Sequence, residues 1–142
     1  MGTLNQLRDK VGKVNADNGF HELPFNLGEK LMLINTELSE CLEAHRIGHH
    51  SNIEAYKTRL KELDSSINLA IVMTPEEIET VKTKHFKETF KTHIKEGVEA
   101  EVIDALIRVF DLAYLLNIDM DTLFELIVKN NSLRGYRHGK QY

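Results

Sequence analysis

Tryptophan is absent from this chain of 142 residues, cysteine occurs once, at Cys41, and proline only twice, at Pro24 and Pro75. A single thiol excludes an intramolecular disulfide and a cysteine cage for zinc, and it suits a reducing, intracellular setting. With proline scarce, and with Val, Ile and Thr never falling into regular alternation, helix is favoured almost everywhere. Long uncharged runs are missing too. The most apolar stretch, residues 98–118, carries Glu99, Glu101, Asp104, Arg108 and Asp111, too many charges for a span across hydrocarbon. The first six residues lack an apolar signal core, and Gln6 stands where a myristoylation signal has Ser or Thr. Neither secretion, lipid anchoring nor a membrane partner is expected, and the chain reads as cytoplasmic.

What is present points to a single folded domain over residues 1–142. Hydrophobic residues at 42% and charged residues at 28% match ordinary soluble domains. Eighteen Lys and Arg against twenty-two Asp and Glu give a net charge of -4, which argues against nucleic acid as the main partner. The predicted class is all-α. A first helix covers about residues 4–15 and stops near Asn18-Gly19, and 20–25 is a loop. A second runs from about Leu27 to Ile47, with Leu27, Leu31, Ile34, Leu38 and Cys41 as the apolar stripe of a bundle helix. Residues 51–63 read as a polar helix, while periodicity leaves 65–73 open between helix and strand. Thr74-Pro75-Glu76-Glu77 is a capping box with proline at the first helical position, so a further helix starts there. Gly97 marks a break, 98–116 is a long helix, 121–131 a short one begun by Asp119 or Asp121, and about 132–142 a basic tail.

Glu37 and Glu40 stand three residues apart on the second helix, so their carboxylates share a face. Either they are a solvated flank supported by Lys30 and Arg46, or they are held near a cation that offsets their desolvation and repulsion. The long helix favours the second alternative. At 100° per residue Glu101, Asp104, Arg108 and Asp111 fall in one strip of an otherwise apolar surface, which favours an internal site over the alternative of an ordinary solvent face with Asp104 and Arg108 as a helix ion pair. Two such helices, ~8–10 Å apart, can aim four carboxylates at a shared space. With no imidazole in either pair, all-oxygen ligation favours Mg²⁺, with Mn²⁺ as an alternative, over iron or zinc. Magnesium held by carboxylates commonly takes further ligands from substrate phosphates, which points to phosphoanhydride chemistry.

Asn131, Arg134, Arg137, His138 and Lys140 supply donors that phosphate would use, with Lys30 and Arg108 as further candidates. The bland alternative for the last stretch is a solvated tail. His45 and His49 have an i, i+4 metal spacing, yet they also end a helix, where positive charge is favoured in any case. Glu76 and Glu79 sit at a helix start, where the dipole favours acids, and read as structural.

The combination of Asn18-Gly19-Phe20, Gly28-Glu29-Lys30-Leu31-Met32-Leu33-Ile34 leading to Glu37-Leu38-Ser39-Glu40, Glu101-Val102-Ile103-Asp104 with Arg108 and Asp111, and Asn131 with Arg134 and Tyr136-Arg137-His138-Gly139-Lys140 resembles the MazG-like, all-α nucleoside triphosphate pyrophosphohydrolases. The likeness covers roughly residues 4–47 and 90–140. It implies a helical bundle, Mg²⁺ ligands at Glu37, Glu40, Glu101 and Asp104, hydrolysis of a nucleoside triphosphate to monophosphate and pyrophosphate, and assembly into a homodimer or homotetramer. Residues 48–89 form a larger insertion between the acidic helices than compact members carry. The rival expectation is a non-enzymatic helical interaction module that keeps the bundle and uses this insertion to bind a protein partner.

Overall fold

The computed structural model describes residues 2–69 and 73–135. It is all-α, with α1 Leu4–Asp17, α2 Leu27–Arg46, α3 Ile53–Leu69, α4 Pro75–His93, α5 Val98–Leu115 and α6 Met120–Ser132. Among the described residues no strand occurs and no helix is long and apolar enough to cross a membrane.

Local chemistry sets most of the boundaries. Thr3 and Gln6 form a reciprocal capping box at the start of α1, and Thr74 and Glu77 form another at the start of α4. The Asn26 side chain accepts the Glu29 N–H ahead of α2, and Asp119 accepts the Thr122 N–H ahead of α6. Each cap satisfies a donor that the first helical turn leaves orphaned. At the exits, Gly19 and Gly48 take φ of 82° and 67°, the left-handed conformation that glycine adopts without steric cost. The helix expected over 51–63 instead begins at Ile53, because Asn52 caps the Ala55 N–H, and it extends to Leu69. That extension resolves as helix most of the run left open by periodicity; residues 70–72 lie outside the described residues.

The chain divides into two compact units, Met1–Leu31 with Leu106–Tyr142, and Met32–Ala105. In the first, α1 and α6 exchange caps at their N-termini. The Asp121 carboxylate accepts the N–H groups of Leu4 and Asn5, at 2.8 and 3.4 Å. Asn5 in turn donates to Asp119 and accepts the Met120 N–H. The Arg8 guanidinium donates to the Ile118 carbonyl. Phe110 and Ala113 are buried on α5. Gly12 is buried against the Tyr114 ring, so close that a Cβ there would lie 2.1 Å from a ring carbon.

In the second unit, α3 and α4 pack as an antiparallel pair, with Tyr56 edge-on to Phe86 and Phe86 stacked on Phe90. The pair leaves and returns at one knot of hydrogen bonds. Asn52 N–H donates to the His93 carbonyl, Ser51 Oγ to Ile94, and Val98 N–H to His49. Gly97 is required in that knot, since a Cβ would sit 2.4 Å from the Ser51 nitrogen. The Glu99 carboxylate accepts from Ser51 N–H and pairs with His50, each at 2.9 Å. Those bonds, the Ser51 backbone first and His50 second, hold its pKa down at about 2.

The apolar stripe read along α2 is not the face that is most buried. Of its five members Leu27, Leu31 and Leu38 stay about half exposed and Ile34 and Cys41 are half-buried, whereas the buried residues of α2 are Glu37 and Ala44. Glu37 and Ala44 stand two turns apart on one face of α2, turned about 90° from the apolar stripe at 100° per residue, so the buried side of the helix is not the side that the stripe marks.

Candidate metal centre

Three carboxylates meet in the second unit. Glu37 stands in the middle of α2, and Glu101 and Asp104 occupy successive turns at the start of α5, where i, i+3 spacing puts them on one face. Each offers an oxygen, and these three oxygens lie within 4.8 Å of one another. Glu37 and Glu101 are buried, at 9% and 5% exposure, while Asp104 is exposed, so the cluster opens to solvent on its Asp104 side.

The electrostatics follow from that placement. Burial pushes the Glu101 pKa up, and the charges of Glu40, Asp104, Glu37 and Glu96 push it further in the same direction. Glu40 is thus near enough to act on Glu101 electrostatically, although it is exposed and stands outside the three-oxygen group. A buried acidic cluster is costly unless something positive offsets it. The donor set, all carboxylate oxygen with one open side, fits a hard divalent cation that keeps waters of its own, as Mg²⁺ and Mn²⁺ do. The one cysteine does not join it, since Cys41 Sγ faces the Val98 carbonyl at 3.8 Å.

The remaining candidates are dispersed. Within the first unit Lys30 Nζ is 2.9 Å from Asp111 Oδ2, and its side chain is largely buried. Arg108 is half-buried on α5, and Asn131 and Arg134 lie exposed at the end of α6, where Arg134 N–H donates to the Asn131 carbonyl. Arg137, His138 and Lys140 lie outside the described residues. His45 and His49, the pair with metal spacing, do not join the three carboxylates, and the adjacent His50 is paired with Glu99. Among the described residues, Glu37, Glu101 and Asp104 are the group able to hold a metal. Glu76 and Glu79 lie on the first turns of α4, apart from that group.

Sequence reasoning missed the partners of Asp111. This carboxylate is 2% exposed and accepts from Lys30, from His21 Nε2 at 2.8 Å and from Asn15. Burial acts to raise its pKa, but the bonds from Asn15, Lys30 and His21 and the Lys30 charge outweigh that and hold it below the usual value. The strip of charges on α5 flagged Asp111 itself; nothing local in the sequence pairs it with a histidine ninety residues earlier. No protein-family model, curated protein or solved structure matches the chain.

Proposed function

We propose that the chain is a Mg²⁺-dependent nucleotide pyrophosphohydrolase of the MazG-like type, cleaving a nucleoside triphosphate to monophosphate and pyrophosphate. The observation that carries this reading is the convergence of Glu37, Glu101 and Asp104, two of them buried, with Glu40 beside them. An interaction surface gains little from concentrating negative charge inside a small helical unit, whereas a cation site requires it.

In this reading Glu37, Glu101 and Asp104 hold the metal, with Mn²⁺ able to replace Mg²⁺. Bound there, the ion would supply charge neutralisation for the phosphates and a more acidic water. Glu40 takes the proton of the attacking water, a role that suits an exposed carboxylate next to the cluster. Arg108, Asn131, Arg134, Arg137, His138 and Lys140 are assigned to phosphate contact. Lys30, engaged by Asp111, is assigned the support of its own segment before any contact with substrate. The reading also takes the protein to be cytoplasmic and to assemble as a homodimer or homotetramer. Exposed Leu123, Phe124, Leu126, Ile127 and Val128 on the single helix α6 support assembly.

The test is a panel of ribo- and deoxynucleoside triphosphates incubated with Mg²⁺, with pyrophosphate and orthophosphate scored separately. Pyrophosphate in step with monophosphate is expected. Orthophosphate alone, or no turnover of any nucleotide with either Mg²⁺ or Mn²⁺, overturns the reading. A second reading, a helical module that binds a protein through the inserted segment, draws on the exposed Ile53 and Phe86 of the α3–α4 pair. Failure of the panel would make it the better account.

A further inference from the structure

The segment between α1 and α2 is attached in an unusual way for a connection carrying so much apolar surface. Its first end is fixed by the turn at Gly19, where Phe20 N–H donates to the Asn15 carbonyl and Glu22 N–H to Gly19. Its second end is fixed at Asn26, whose carbonyl accepts the Lys30 N–H and whose side chain accepts from Glu29. Between these points Leu23, Pro24 and Phe25 make no backbone hydrogen bond among the described residues. Phe20, Leu23 and Phe25 are 61%, 79% and 48% exposed.

One side chain of this segment turns inward. The His21 ring stacks on Tyr114 at 5.8 Å with an interplanar angle of 18°, and its Nε2 meets Asp111 Oδ1 at 2.8 Å, leaving the side chain 15% exposed. Both partners are rigidly held independently of the segment. Tyr114 is seated on Gly12, and Asp111 keeps Lys30 and Asn15 as partners. Loss of the His21 contacts therefore frees the segment without dismantling the surface to which it is tied.

We propose that residues 19–26 form a strap, hinged at Gly19 and Asn26 and held shut by the single tether of His21 on Asp111 and Tyr114. Opening the strap brings water to the Lys30–Asp111 pair and bares the part of the Tyr114 ring that His21 covers; closing it shields the pair, while the rest of Tyr114 stays exposed in both states. Such local opening belongs to the low-stability end of a fold, where few buried contacts and few backbone bonds hold a segment in place.

The test uses the full chain and its His21→Ala variant, with hydrogen exchange read by peptide and limited chymotrypsin cleavage read after Phe20 and Phe25. Loss of a tether worth one hydrogen bond and one ring contact should speed exchange and cleavage in 19–26 about tenfold, with α1 and α5 peptides and helicity unchanged. Unchanged rates in the segment overturn the proposal, because something other than His21 then holds it. Exchange that accelerates throughout α1 and α5, or a variant that does not fold, overturns it equally, because His21 is then part of the core rather than a tether.

Discussion

Replacing Glu101 by Gln should make the metal-free protein more stable and the metal-loaded protein comparatively less so. Glu101 is 5% exposed, and one of its oxygens lies within 4.8 Å of an oxygen on Glu37 and on Asp104. At an effective dielectric of ~20, two unit charges at that separation repel by about 3 kcal/mol. Solvent at the exposed Asp104 screens much of this, leaving a net gain of about 1–2 kcal/mol on removing the charge. The sign agrees with the pKa direction. A carboxyl whose folded pKa is raised destabilises the fold above its unfolded value, and the penalty shrinks as pH falls through the folded value. For a chain of this size the gain is about 3–8 °C in melting temperature. Melts followed by circular dichroism near neutral pH, in chelator and in Mg²⁺, read both states. Magnesium at about a hundred times its dissociation constant adds ~2.7 kcal/mol to the parent and much less to the variant, so the order of the two melts narrows or reverses. A variant that melts below the parent in chelator refutes the reasoning, since Glu101 would then be satisfied without a cation.

Asp111→Ala should cost about 3–5 kcal/mol, because it strands the largely buried Lys30 amine and removes the acceptor of His21; urea unfolding measures it, and a loss under 1 kcal/mol contradicts the buried hub. Gly12→Ala should cost about 1–3 kcal/mol, since its methyl would have to displace the Tyr114 ring, and the near-ultraviolet tyrosine signal should change with it. Glu99 has a depressed pKa, so its contribution is present above the unfolded value of about 4.3 and lost as pH falls toward about 2. The melting difference between the parent and Glu99→Gln should accordingly be largest above about pH 5 and close through that window. A difference that grows in acid would mean the carboxylate is not held by Ser51 and His50.

The parts of this molecule that were legible in the sequence are those fixed within one turn of chain. Thr74, Pro75 and Glu77 announce the start of α4 because a capping box is closed over four residues. Glu101 and Asp104 could be assigned to one face for the same reason, and the pairing of that face with Glu37 followed from charge on otherwise apolar helices. Glu40 shares the spacing of Glu37 yet remains exposed, because spacing fixes direction around a helix and not depth. Depth also explains the α2 stripe. Periodicity located Leu27, Leu31 and Leu38 on one side, while burial went to Glu37 and Ala44 on a neighbouring side of the same helix. The tether of His21 to Asp111 joins residues far apart in sequence, and no local pattern encodes such a contact. The length of α3 was open because an apolar run of that size satisfies helix and strand alike.

The measurement that tests the account most directly is Mn²⁺ binding by the parent and by Glu37→Gln and Glu101→Gln, read from the loss of the free-ion electron paramagnetic resonance signal. The parent should deplete free Mn²⁺, Mg²⁺ should compete for the same site, and either substitution should weaken binding by at least about tenfold, the effect of removing one charged oxygen ligand. Parent protein that leaves the free-ion signal unchanged, or variants that bind as the parent does, would contradict a metal centre at Glu37, Glu101 and Asp104.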